Sequence, residues 1–161
     1  MIDMLSKSLG EERAALDYMA AAKPCFLSLQ ETMARLAGLL MTAELKASRS
    51  VLDTQSFAEA EVQLSQALER FGALAPDDKC RHFHHHLSKS VSHLSEAMTA
   101  AETQRAGLVG ARDPLLPLQA AWRELTHASR ALPGFETVDF RNSCCSLRQS
   151  AKHSSLGDRY G

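Results

Sequence analysis

Five of the seven histidines in this 161-residue chain fall within twelve residues: His82, His84, His85, His86 and His93. Imidazole titrates near neutral pH, ligates transition metals and serves as a general acid or base. No other segment concentrates so many reactive groups. If the chain carries out chemistry, these residues are where it is expected. At 100° per residue, His82, His86 and His93 share a helical stripe about 40° wide, and Lys89 and Glu96 extend it.

Three chemistries fit that stripe. His82 and His86 have the i, i+4 spacing that lets two imidazoles grip one ion. His93, Glu124 and His127 are the candidates to complete the set, with a transition metal or haem as the cofactor. The motif Glu124-x-x-His127 resembles one half of a carboxylate-bridged di-iron site in a helical bundle. That family carries two such motifs plus two further glutamates. Here there is one, with Glu44 and Glu61 as single contributors.

The run Arg81-His82-Phe83-His84-His85-His86 fits the Arg-polar-x-x-x-His motif and so resembles HEPN-type ribonucleases, which are small helical bundles. In that family, paired sites at a dimer interface cleave RNA without metal. The resemblance implies phosphate stabilisation by Arg81 and proton transfer by His86. The segment from His85 to Val91 also resembles the phosphoacceptor helix of histidine kinases. It departs from that pattern where His86 stands for the acidic residue and Ser90 for the proline.

An unreactive origin explains the same residues. The stripe borders an apolar seam, and boundary positions suit side chains with an apolar body and a polar tip.

Apolar residues recur with helical period almost throughout. Phe26, Leu29, Met33, Leu36, Leu40, Ala43 and Ala47 step by three and four, the pattern of a helix packed on other helices. Pro24 suits the first turn of that helix, which is expected to reach about Leu52. A second seam is Phe57, Glu61, Leu64, Leu68 and Phe71, with Ser56 as N-cap and Glu59 at the capping-box position. A third is Cys80, Phe83, Leu87, Ser90, Leu94, Ala97 and Ala101. A fourth is Leu115, Leu118, Trp122, Leu125, Ser129 and Leu132, opened by Asp113-Pro114 and closed by Pro133-Gly134. Ile2, Leu5, Leu9, Leu16 and Met19 form a shorter amphipathic stretch, weakened by Gly10.

These patterns predict an all-α protein: a four-helix bundle with an N-terminal accessory helix and an irregular C-terminal tail. Residues 1–135 are expected to form the bundle domain. Residues 136–161, rich in Ser and Arg, are expected to be a partly flexible tail. Only 135–140 alternates in a β-like way.

Composition narrows the function. A hydrophobic fraction of 45% supplies a normal core, and a formal net charge of −1 gives no footprint for nucleic acid or an anionic membrane. No apolar run has the length of a membrane span, and the N-terminus does not read as a signal peptide. A cytoplasmic protein with reduced thiols is expected. Cys25 and Cys80 fall near seams and are expected in the core. Cys144 and Cys145, beside Arg141 and Arg148, are candidates for redox sensing or soft-metal binding.

With long regular seams and no completed catalytic motif, the reading favoured by the sequence is a non-catalytic interaction or adaptor module. Its partner would be another protein, or a second copy in a homodimer. A metal- or haem-binding bundle and a HEPN-like ribonuclease are the alternatives.

Overall fold

The computed structural model describes residues 2–45 and 54–137, with side chains from Leu9 onward in the first segment. Four helices make up most of it: α1 (Ile2–Leu45), α2 (Thr54–Gly72), α3 (Arg81–Arg105) and α4 (Leu115–Ala131). No strand occurs among the described residues, and none of these helices is long and apolar enough to cross a membrane. The expected all-α class is what the chain adopts.

The N-terminal stretch is not a separate accessory helix. It is the first half of α1, which runs straight through Pro24. A proline inside a helix forfeits one backbone bond and costs about 3 kcal/mol. Burying a Phe or Leu side chain returns about 1.5–3 kcal/mol each. Phe26 and Leu29, both fully buried just after the proline, together outweigh that loss.

In α1 the expected seam residues Phe26, Leu29, Met33, Leu36, Leu40 and Ala43 are all buried. So are those of α3, from Cys80 and Phe83 through Leu94 to Ala101. The α2 and α4 seams slide towards alanine. Ala60 and Ala67 are buried in α2, while Glu61 is half-buried and Leu68 exposed. Ala121 and Ala128 are buried in α4, while Leu115 is exposed and Trp122 packs half-buried on the core edge. Helix α2 begins by Thr54, so Ser56 is not its N-cap.

Helix α1 packs chiefly on α2, and α3 chiefly on α4; the two pairs share one hydrophobic core. Beyond α4, Gly134 takes a φ of 84°, a conformation that favours glycine, and turns the chain back. Phe135 then packs against Phe26 and Phe83 at centroid distances of 5.3 and 4.4 Å. Ala47, the anticipated extension of the first helix to Leu52, and the tail with Val138, Phe140, Cys144 and Cys145 lie outside the described residues.

Candidate functional site

The close approach of α3 and α4 sets the site. Two small buried residues meet there, Ser90 from α3 and Ala121 from α4. The buried Ser90 hydroxyl donates to the Ala121 carbonyl at 3.0 Å, so its polarity is satisfied and the antiparallel register is pinned. One helical turn from that bond, in opposite directions along the two chains, are His86 and Glu124.

His86 Nδ1 lies 2.6 Å from Glu124 Oε2, with both side chains about one-fifth exposed. Burial raises the Glu124 carboxyl. The hydrogen bond from His86 and the nearby charges of His86, Lys89 and His127 outweigh it, so the group sits below the usual carboxylate range. An ionised carboxylate only accepts hydrogen bonds. His86 therefore carries its proton on Nδ1 when neutral, leaving Nε2 as the nitrogen free to accept a proton or a metal.

Other imidazoles gather round this pair. His82 meets His86 edge-on at 4.7 Å, His127 lies tilted at 5.3 Å and His85 at 5.6 Å. Four of the five expected metal-binding residues, His82, His86, Glu124 and His127, are thus neighbours. His93 is not among them. It lies two turns along α3 and pairs with Glu96 of its own helix at 3.6 Å. As the side chains stand, no three His, Cys, Asp or Glu donors among the described residues are arranged to hold an ion.

Arg81 and His86 are not brought together. Five residues apart on a helix, they point about 140° from each other. Arg81 turns outwards to an ion pair with Asp78, whereas His86 faces Glu124. Among the described residues His86 bonds Glu124 and no nucleophile stands with them to complete a triad.

His84 belongs to a second cluster that the histidine pattern did not reveal. Its ring stacks on Phe71 at 4.9 Å, and Nδ1 shares a hydrogen bond with the Tyr18 hydroxyl at 2.9 Å. Burial holds this imidazole below its ordinary pKa and pushes the Tyr18 phenol up, so both are neutral near pH 7. The signal for this contact was Tyr18 itself, an aromatic residue on the core side of α1 with a polar tip to satisfy.

Cys25 and Cys80 are free and buried, as expected. Burial pushes the Cys25 thiol up to about 11, and it donates weakly to the Ala67 carbonyl at 3.5 Å. Burial and the Asp77 carboxylate push Cys80 up to about 12. Asp77 also accepts from the Cys80 backbone N–H at 2.8 Å, closing the turn that enters α3.

A concavity lies further along the same two helices. A groove of about 1020 Å³ runs between the second half of α3 and the start of α4. Its lining includes the small side chains of Ser95, Thr99, Ala100 and Ala120. His93 and Glu96 stand at one end, Arg112 and Asp113 at the other. Leu116 lines the groove and is two-thirds exposed; Leu108 and Val109 are exposed on the adjoining connection.

Compared with known protein families, curated proteins and solved structures, the chain matches none.

Proposed function

We propose that this chain is a non-catalytic helical interaction module that binds a protein partner in the α3–α4 groove. The observation that carries the reading is the groove's construction. Its small lining residues leave room for the apolar side chains of an amphipathic helix. Exposed Leu116 offers an apolar anchor, and His93, Glu96, Arg112 and Asp113 supply a polar rim. Interfaces with an apolar centre and charged rim have this anatomy. The free, buried Cys25 and Cys80 support a reducing compartment, so the reading is of a cytoplasmic protein.

Site-directed photo-crosslinking tests it. A benzophenone side chain at Ser95 should capture one defined partner; the same group at Glu69 on α2 should not. Capture should disappear when Thr99→Trp fills the groove. Equal labelling from both positions would defeat the proposal.

A second reading has one specific observation in its favour. The Nδ1–H of His86 is held by Glu124, which leaves Nε2 free, and His82 and His127 stand beside it. Metal-binding histidines are commonly oriented by a carboxylate in this way. Glu124 would then act as the orienting group rather than as a ligand, and modest side-chain rotations would have to bring the three imidazoles onto a transition metal. Stoichiometric metal in purified protein, lost in His82→Gln/His127→Gln, would establish it. Metal-free protein that takes up neither Zn²⁺ nor Ni²⁺ at micromolar concentration would exclude it.

A further inference from the structure

The first half of α1 is built unlike the rest of the bundle. From Leu9 to Asp17 every residue except Ala15 is exposed, and regular burial starts only at Tyr18. This stretch continues the packed part of α1 with few tertiary contacts of its own. The bundle touches one side of it, through Ala15 and Tyr18. Leu9 is 180° from Tyr18 at 100° per residue, and Leu16 falls within about 20° of Leu9. Both leucines are about two-thirds exposed, at 66% and 64%. Between them on that outer face stand Glu12 and Arg13, both exposed.

We propose that this outer face of α1 pairs with the same face of a second copy of the chain, antiparallel, about a two-fold axis between Glu12 and Arg13. The order of residues selects this arrangement. With the axis there, residue i meets residue 25 − i. Leu9 meets Leu16 of the second copy, and Glu12 meets Arg13, each contact occurring twice by symmetry. A parallel pairing would set Glu12 against Glu12 and Arg13 against Arg13, which like-charge repulsion disfavours. The antiparallel pair thus covers both leucines and forms two reciprocal ion pairs. This surface is separate from the α3–α4 groove and does not depend on it.

Light scattering or sedimentation of the full chain over a dilution series tests the proposal. The wild type should pass from monomer to dimer with rising concentration. Glu12→Arg alone and Arg13→Glu alone should each weaken the dimer at least about tenfold, since each creates two like-charge contacts. The double reversal E12R/R13E should restore it. Leu9→Glu/Leu16→Glu should be monomeric with an unchanged helical spectrum, because both positions face solvent in the single chain. A monomer at every concentration would overturn the proposal, as when the chain's own tail covers the stripe. So would a dimer indifferent to these changes, or one that the double reversal fails to restore.

Discussion

His86 and Glu124 meet 2.6 Å apart across the α3–α4 contact, one turn from the Ser90–Ala121 bond that fixes the register. The pair ties a dense group of imidazoles to the contact between α3 and α4. Its carboxyl is held below the usual range in the folded chain. A group depressed in this way contributes stability above its unfolded pKa, and that contribution is lost as pH falls through the folded pKa. Glu124→Gln should therefore lower the melting temperature at pH 6 by more than at pH 3. A double-mutant cycle of Glu124→Gln with His86→Ala at pH 6 should return a coupling of about 1 kcal/mol. Equal losses at both pH values would show that the charge on Glu124 is not what stabilises the pair.

His84 makes a separate prediction nearer neutrality. Its folded pKa is lowered by burial, so the neutral ring is the form the fold favours. The resulting stability is present above the unfolded value of about 6.5 and lost as pH falls through the lower folded value. The wild type should lose melting temperature between pH 7.5 and 5.5 more steeply than His84→Gln. Parallel profiles would contradict this.

Leu36 and Leu94 are fully buried in α1 and α3. Truncating either to alanine removes buried methyl groups and opens a cavity, at a cost of about 2–5 kcal/mol. Denaturant unfolding measures both. Costs well under about 1 kcal/mol would mean that these side chains do not face a close-packed core.

The two core thiols should be nearly inert in the folded protein. Cys25 and Cys80 are buried, with pKa values pushed up to about 11 and about 12. In a Cys144→Ser/Cys145→Ser background, reaction with a disulfide reagent at pH 8 should be at least about a hundredfold slower than for an exposed cysteine, because little thiolate forms. Denaturant should release both thiols. Rapid labelling of the native protein would show that α1 or the turn before α3 opens readily.

The sequence made α1 and α3 legible because large aliphatic and aromatic side chains mark their buried faces. In α2 and α4, buried alanines do the same work with little hydropathic signal. Glu61, Leu68 and Leu115 therefore looked like seam positions, and Ala60, Ala67, Ala121 and Ala128 did not. Pro24 read as a helix start because its local cost is visible in sequence, while the burial of Phe26 and Leu29 that offsets it is a tertiary effect. The approach of His82 and His86 to Glu124 and His127 was accessible from spacing on two amphipathic helices. The separation of His93 follows from helix rise alone, since seven residues beyond His86 place it about 10 Å further along α3. The bond between His84 and Tyr18 joins residues 66 apart in sequence, and its one local sign was the polar tip of Tyr18.

The most direct test of the interaction-module account is the affinity of the partner captured at Ser95 for wild-type chain and for variants of the α3–α4 groove. Thr99→Trp and Leu116→Glu alter exposed positions, so both variants should keep the wild-type melting temperature within a few degrees. Each should weaken partner binding at least about tenfold in titration calorimetry, since one occludes the groove and the other charges its apolar anchor. Unchanged affinity in both folded variants would contradict the account.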